Sequence, residues 1–305
     1  IVLEGVTDAV SKNIITAAQG NIYLGEAYFF RAITHLELLF HFARPYKFTA
    51  NASHPGVPYR ERAYNTLSSA QEGTAQGRNT VAECYQKIIA DLNQAESLLP
   101  GKSARSGNPK ITRATKGAAI AYKTRAYLHM WDWPNLKTEG NKLLALAGGD
   151  AYSLTPDPVT VWTSNYGNSE SIFSMENSST NNPGVNAALP QMYKRRRLIN
   201  ISPIIWRNPL WLTDDKRRNT SASGMVIDVG GVLYTHKYRD DVNSSDASPV
   251  IRLAEVYLNL AEAYCRTATM TGAPDPTALG HLNTLRNRSL ATPATQAYTA
   301  ASFAD

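Results

Sequence analysis

Residues 80–101 read TVAECYQKIIADLNQAESLLPG and contain the beginning, the apolar face and the end of one helix. Thr80 is a good N-cap, and Glu83 three residues later completes a capping box. Pro100 and Gly101 then interrupt the helix. The apolar side chains that recur every three or four residues, as on one helix face, are Val81, Tyr85, Ile88, Leu92, Ala95 and Leu99. The stretch therefore predicts an amphipathic helix.

The segments on either side also have helical patterns. Upstream, residues 23–42 are apolar on nearly all sides and end before Pro45, which predicts a helix that is buried on several sides. A polar loop is predicted over 47–79, and a Gly/Ser/Pro loop over 101–110. Downstream, residues 113–131 predict a helix with a strip of small side chains, which lets two helix axes approach closely. The small residues are Ala114, Gly117, Ala118 and Ala121.

Two helical hairpins can be traced in the chain. In the first, Trp131-Asp132-Trp133-Pro134 breaks the small-residue helix, and the next helix runs to about Ala147 before Gly148-Gly149. In the second, an amphipathic helix over 251–268 is followed by a turn at 272–276 and a partner helix near 278–285. Such helix–turn–helix units are typical of tetratricopeptide-like arrays, so a mostly α fold is predicted.

Residues 150–248 differ in kind, because they are rich in Asn, Ser, Thr, Pro and Gly. They contain strand-like pieces at 171–175 and 232–235. A long irregular segment is uncommon in a compact protein unless it is functional, so we expect a loop-rich excursion that faces the ligand. The predicted parts of a single domain are the helical scaffold 1–149, the excursion 150–248, the hairpin 249–290 and a tail 291–305.

Charge and cysteine content exclude several protein classes. The net charge is +6, but the basic residues are scattered and the densest run, Lys194–Arg197, is typical of a solvated loop rather than a nucleic-acid face. No apolar run approaches the length of a transmembrane helix. Cys84 and Cys265 lie in apolar helical patterns, which favours two buried free thiols over a disulfide. No Cys/His spacing indicates a metal site.

The sequence contains no local motif for catalysis. The six histidines are dispersed, and HExxH, GxSxG and P-loop patterns are absent. Asp214-Asp215 and Asp240-Asp241 are adjacent carboxylates of the kind found in solvated turns. We therefore expect no enzyme and no cofactor. A glycosidase stays an alternative because its paired carboxylates need no local motif, and hydrolysis of candidate glycans would reveal it.

Aromatic and amide side chains of the excursion are candidates for glycan binding, which needs flat rings for the sugar face and polar groups for its hydroxyls. Trp206 and Trp211 lie within IWRNPLW, residues 205–211, and are the best platform, although they could instead pack the excursion onto the helices. The other candidate ligand-binding residues are Arg207, Asn208, Tyr193 and Asn182. By contrast, Trp131, Trp133 and Trp162 are predicted to pack in the interior, and Glu26 and Arg31 to form ion pairs.

Four segments, taken in order, resemble one family. They are GEAYFFRA (25–32) with GVPY (56–59), TVAECY (80–85) running through to LLP (98–100), TKGAA (115–119) with AYL (126–128) and DW (132–133), and RLAEVYLNLAEA (252–263) with LRNR (285–288). ESIFS (170–174) and DKR (215–217) add to the match in the middle region. Together they resemble the SusD/RagB family of Bacteroidetes nutrient-binding lipoproteins of the outer membrane.

The resemblance implies a cell-surface protein that captures oligosaccharides and passes them to a SusC-like TonB-dependent transporter. It implies lipid anchoring through an N-terminal cysteine that lies outside this chain. Oligopeptide binding, as in RagB-like members, is the first alternative, and a protein-binding tetratricopeptide-like scaffold is the second. The family's lipidated cysteine, its first helices and its usual C-terminal segment are not among these residues, so we expect a native chain that is longer at both ends.

Overall fold

The computed structural model describes residues 1–268 and 274–300. Two compact units are present: a helical unit, residues 1–106 and 113–151, and a mixed unit, which contains residues 107–112 and the chain from 152 onward. The described helices are α1 (Val2–Ser11), α2 (Ala17–Phe42), α3 (Leu67–Ala75), α4 (Val81–Leu98), α5 (Pro109–Thr112), α6 (Lys116–Met130), α7 (Trp133–Leu144), α8 (Thr160–Thr163), α9 (Pro203–Trp206), α10 (Leu253–Thr267), α11 (Pro276–Asn287) and α12 (Pro293–Gln296). The described strands are β1 (Ser171–Met175), β2 (Val226–Val229), β3 (Val232–Thr235) and β4 (Ser248–Arg252). The predicted mostly α fold class is confirmed.

Helix α4 lies at the centre of the helical unit, between α2 and α6. Its predicted capping box is confirmed: the Thr80 hydroxyl accepts from the Glu83 N–H at 3.2 Å, and the Glu83 carboxylate accepts from the Thr80 N–H at 2.9 Å. Ile88 and Leu92 are fully buried. The apolar periodicity of residues 80–101 therefore defines the face that packs on both neighbours.

Helix α2 begins earlier than predicted, at Ala17, where Thr16 and Gln19 form a capping box. Phe29 and Leu36 are fully buried, whereas Phe30 and Phe42 are exposed. The prediction of burial on several sides was therefore wrong. Among the described elements, only α1 and α4 pack extensively on α2, which leaves part of its apolar surface accessible.

The α6–α7 hairpin confirms the small-residue strip and the predicted break. Gly117, Ala118 and Ala121 are buried in α6. Trp131 ends α6 in a left-handed conformation with φ 59°, and Pro134 lies in the first turn of α7. Helix α7 ends at Leu144, earlier than predicted.

Helix α3 was missed, because it lies within the predicted loop 47–79. Gly73 is its buried residue and Leu67 is 80% exposed, so the segment lacks the apolar periodicity that predicts a helix. A capping box between Thr66 and Ser69 starts it instead.

The mixed unit contains two antiparallel strand pairs. Strand β1 pairs with β4, with Ser171 opposite Arg252 and Met175 opposite Ser248, and β2 pairs with β3 in a hairpin. Strands β1 and β3 are confirmed at their predicted bounds, whereas β2 and β4 were missed. The helix predicted from residue 251 begins only at Leu253, because Ile251 and Arg252 are taken up by pairing with β1. Helices α10 and α11 form the second hairpin.

Two predictions extend beyond the described residues. Gly272 and Ala273 of the predicted turn lie outside them, as do residues 301–305 of the predicted tail. Within the described part, Asp275 caps α11 by accepting from the Thr277 and Ala278 N–H groups.

Several side chains differ from their predicted exposure. Both cysteines are free, as predicted, and Cys84 is buried, but Cys265 is exposed on the outer face of α10. Trp131 is 58% exposed and stacks on Trp133 with 6.4 Å between ring centroids, so its predicted burial was wrong. Asp215 is buried rather than solvated, because it pairs with a neighbouring arginine.

No helix in the described ranges is long and apolar enough to cross a membrane.

Candidate functional site

Buried charges of the helical unit are paired within the unit. Glu26 accepts from Arg105 at 2.8 Å and also from Arg113. Arg31 donates to both carboxylate oxygens of Asp91, each at 2.6 Å. The predicted ion pairing of Glu26 and Arg31 is therefore found with partners on other segments, in a structural rather than a catalytic arrangement.

Lys123 is the most deeply buried cation of this unit, with 1% of its surface exposed. Its ammonium group pairs with Glu96, lies 2.9 Å from a Glu139 oxygen and donates to Asn93 at 3.1 Å. Lys142 approaches Glu96 to 2.6 Å. Burial opposes the ionisation of Glu96, but the hydrogen bonds and charges of the two lysines hold its pKa below the usual value.

The predicted aromatic platform forms an open cleft in the mixed unit. Helix α9 begins at Pro203 after the N-cap Ser202 and ends at Trp206, and the chain then returns so that Trp211 lies beside Trp206. The two rings meet edge to face, with 5.5 Å between centroids and an angle of 81°. The Arg218 guanidinium lies 4.2 Å from the Trp206 centroid and 5.4 Å from that of Trp211. We call this cavity, of about 810 Å³, the tryptophan cleft.

Polar groups line the tryptophan cleft around the two rings. Gln296 donates to Asp214 at 2.8 Å. The Asn208 side-chain oxygen accepts from the Leu210 N–H at 2.9 Å, which leaves its amide nitrogen available to a ligand. Arg207 is exposed. Rings and hydrogen-bonding groups together are the combination that a sugar ring requires.

The structure brings together four of the six predicted site residues. Trp206, Trp211, Arg207 and Asn208 all line the cleft. Tyr193 lies elsewhere in the mixed unit, 5.6 Å from the Tyr238 ring centroid. The remaining one, Asn182, donates to the Ser178 carbonyl at 2.8 Å. Ligand contact by these last two stays a prediction.

Lining residues with charged or amide side chains that were not predicted as ligand-binding are Asp214, Arg218 and Gln296. Asp214 was interpreted as a carboxylate of a solvated turn. Arg218 directly follows the DKR motif, whose clustered charge is the only sequence signal for it. Gln296 is remote in sequence, and no local pattern connects it with the tryptophans.

Glu170 is the most deeply buried carboxylate of the mixed unit, with none of its surface exposed. Arg252 approaches it to 2.9 Å, and Arg288 donates to it as well. Burial opposes ionisation, but the Arg288 hydrogen bond and the charges of both arginines hold the pKa of Glu170 below its usual value. The Glu170 carboxylate thus connects the start of β1 with β4 and with the end of α11. Because it is held ionised by two arginines, it is not suited to proton transfer.

Within the described residues, no group of three or more His, Cys, Asp or Glu side chains is arranged to hold a metal ion.

Comparison with known proteins assigns both ends of the chain to the same superfamily. Residues 1–128 match the family described as "Starch-binding associating with outer membrane", and residues 205–304 match the SusD family. No curated protein matches the chain.

Solved structures show the same fold. A SusD superfamily protein from Bacteroides fragilis is 27% identical, with a TM-score of 0.79 over 99% of this chain and 64% of its own. A SusD superfamily protein from Bacteroides thetaiotaomicron is 21% identical, with a TM-score of 0.78, 99% coverage of this chain and 65% of its own. Surface glycan-binding protein A from Bacteroides uniformis is 17% identical, with a TM-score of 0.66, 95% coverage of this chain and 64% of its own.

The chain thus spans slightly less than two thirds of the length of these structures. The two family matches lie at opposite ends of the chain, and the structural match with 27% identity extends across nearly all of it. The chain therefore belongs to the SusD/RagB family.

Proposed function

We propose that this chain is part of a cell-surface protein that captures oligosaccharides and delivers them to a SusC-like TonB-dependent transporter. The observation that carries the proposal is the tryptophan cleft, where two indole rings meet edge to face beside hydrogen-bonding side chains. The name of the Bacteroides uniformis structure, a surface glycan-binding protein, supports the same ligand class. Attachment to the outer membrane through a lipid anchor outside this chain is part of the proposal.

The proposed activity is binding without covalent chemistry. Trp206 and Trp211 would contact the apolar face of a sugar ring, because desolvation and dispersion favour that contact. Asn208, Asp214 and Arg207 would fix its orientation through hydroxyl groups. Capture of an oligopeptide is the alternative that the test below distinguishes.

Isothermal titration of the 305-residue chain against panels of neutral and acidic oligosaccharides and mixed peptides tests the proposal. Trp206→Ala is expected to weaken glycan binding by about 2 kcal/mol, or roughly thirtyfold, as for a buried aromatic anchor. The matched control is Trp131→Asn, which removes an exposed tryptophan of the helical unit and keeps a residue that tolerates its left-handed backbone.

Glycan binding that Trp206→Ala weakens to this extent and Trp131→Asn preserves supports capture at the cleft. Binding of peptides but not of glycans would support the alternative function, capture of an oligopeptide. Glycan binding that survives in Trp206→Ala with the fold intact would refute the site. Release of reducing sugar from a bound glycan would refute binding without chemistry.

A further inference from the structure

A second cavity of the mixed unit, of about 630 Å³, shares Trp211 and Asn208 with the tryptophan cleft. Its wall combines apolar side chains, such as Ile205 and Met225, with three cations. The cations are Arg217, Lys237 and Arg286. Among the described residues that line it, none is a carboxylate. We call it the cationic cavity.

Two of the three cations lack a neutralising partner in the described chain. Arg217 pairs with Asp215 at 2.5 Å. Arg286, only 9% exposed, instead donates to the backbone carbonyls of Leu210 and Gln296, at 2.9 and 3.0 Å. Carbonyl groups satisfy its N–H groups but leave its full charge uncompensated. A buried charge without a counterion is costly, so most such charges are paired.

Lys237 is half-buried, and no carboxylate of residues 1–268 or 274–300 forms a salt bridge with it. Its ammonium group lies 4.9 Å from the Trp162 ring centroid, and the Arg252 guanidinium lies at 4.9 Å from the same ring. Burial, Arg252 and Arg217 lower the pKa of Lys237 to about 8. The surroundings of this lysine therefore favour a neighbouring negative charge.

Unused hydrogen-bonding groups line the same cavity. The Trp211 indole N–H and the Thr235 hydroxyl are both buried, and neither has a hydrogen-bond partner among the described residues. Buried polar atoms are nearly always hydrogen-bonded, so each exception indicates a missing partner. An indole N–H can only donate and a hydroxyl can donate, which matches an acceptor-rich ligand.

We infer that the cationic cavity binds the oxyanion of an acidic sugar, either the carboxylate of a uronic acid or a sulfate ester. Lys237, Arg286 and the donors of Trp211 and Thr235 would hold the anion, while the adjoining ring of the glycan contacts Trp206. The inference rests on the proposed glycan capture and specifies the class of glycan. Because the two cavities share Trp211, one oligosaccharide can occupy both.

The test is isothermal titration of the 305-residue chain with a short oligogalacturonide and with its methyl ester, which has the same rings and linkages but no charge. A sulfated galactan oligosaccharide and its desulfated form are the second pair of probes. Lys237→Met removes one cation at nearly constant side-chain length. The matched control, Arg195→Met, removes an exposed cation of the same unit that lines neither cavity.

One acidic probe is expected to bind about tenfold more tightly than its neutral form, the worth of one charge-assisted hydrogen bond. Lys237→Met should abolish this preference and leave the affinity of the neutral form unchanged, whereas Arg195→Met should preserve it. The pair that shows the preference distinguishes a carboxylate ligand from a sulfate ligand.

Equal affinity for the charged and neutral forms would overturn the inference while leaving glycan capture intact. A preference for the acidic probe that survives in Lys237→Met would overturn it too, since residues other than Lys237 would then bind the anionic group. Preferential binding of an acidic peptide would overturn the assignment to a sugar. If no glycan of the panel binds, the proposed function fails first and the inference with it.

Discussion

Lys123 of the helical unit and Lys237 of the mixed unit are both withdrawn from water, but their surroundings are opposite. Lys123 has two carboxylates and an amide oxygen around its ammonium group. Lys237 has an indole ring and two arginines nearby, and its pKa is lowered to about 8, chiefly by burial. The charge of Lys123 is therefore neutralised by the protein itself, whereas Lys237 has no counterion in the part of the chain that the structure describes.

The difference separates charges that maintain the fold from charges that are available to a ligand. Where α6 packs on α4 and α7, the buried Lys123 meets a carboxylate from each of these helices. The cationic cavity contains charge that folding alone does not neutralise. Perturbed groups of this kind cluster at binding sites. The proposed ligand class rests on the cations and the unpartnered donors that line this cavity.

Removal of Lys123 should give the largest effect. Lys123→Met leaves Glu96 and Glu139 with Lys142 as their shared partner, so we expect a loss of about 3 kcal/mol in the free energy of unfolding. Urea denaturation followed by circular dichroism measures it. Lys12→Met, which breaks only an exposed pair with Asp8, should leave the midpoint unchanged. If Lys123→Met unfolds at the same urea concentration as wild type, Lys123 does not stabilise the fold and the contrast with Lys237 fails.

The pH dependence of acidic-glycan binding should give the next largest effect. Loss of the Lys237 proton as the pH rises through about 8 should weaken the affinity by up to about tenfold, because the counter-charge of the anion disappears. Of the titratable neighbours, burial raises the pKa of Tyr238 to about 12 and also raises the pKa of Asp246. Arginine side chains are not deprotonated in proteins.

Titrations at about pH 7 and pH 9 with wild type and Lys237→Met measure this dependence. The wild-type affinity should fall and that of the variant should stay constant. A fall of equal size in both proteins would show that another group titrates.

Replacement of Lys237 in the free protein should act in the opposite direction to that of Lys123. Lys237→Met removes a half-buried charge that has no counterion among residues 1–268 and 274–300, so we expect stability to be maintained or to rise by up to about 1 kcal/mol. Urea midpoints of the free proteins, compared with that of Arg195→Met, check the sign. Clear destabilisation would mean that the chain itself already neutralises Lys237.

His35 of the helical unit should give the smallest effect. Its Nε2 accepts from the Arg60 N–H at 3.0 Å and its Nδ1 lies 2.8 Å from the Arg31 carbonyl oxygen, so the ring is neutral with the proton on Nδ1. Burial, with the charges of Arg31 and Arg60, lowers its pKa, whereas the hydrogen bond to the Arg31 carbonyl and the charge of Asp91 oppose this.

Because the folded pKa of His35 is lowered, its contribution to stability is present above the unfolded value of 6.5. It is lost as the pH falls through the lower folded pKa. His35→Gln should reduce the loss of stability between about pH 7.5 and pH 5. An identical pH dependence in the variant would assign that loss to other groups, such as His236 or His281.

The sequence predicted those helices and strands that are determined by residues close to one another in the chain. The Thr80 capping box and the strand at 171–175 are examples, because side chains within a few residues determine them. Helix α3 and strand β4 could not be predicted in this way. The first has almost no buried face, and the second depends on a partner strand that is remote in sequence.

The same limit applies to the candidate site. IWRNPLW attracted attention because two tryptophans occur within one short, proline-containing segment. No local pattern connects Arg286 or Lys237 with these tryptophans. Only the fold brings them to one cavity and shows that neither meets a carboxylate of the described chain.

The pairing of β1 with β4 holds the two ends of the intervening segment side by side. The chain leaves at Met175 and returns at Ser248, and these two residues are register partners. Changes of length or composition between them therefore need not disturb the helices on either side, since the strand ladder keeps the ends together. The segment contains Trp206, Trp211 and Lys237, so its replacement would change the ligand-binding residues while β1 and β4 stay paired. Evolution, or a grafting experiment, could give the same scaffold a new ligand by replacing it.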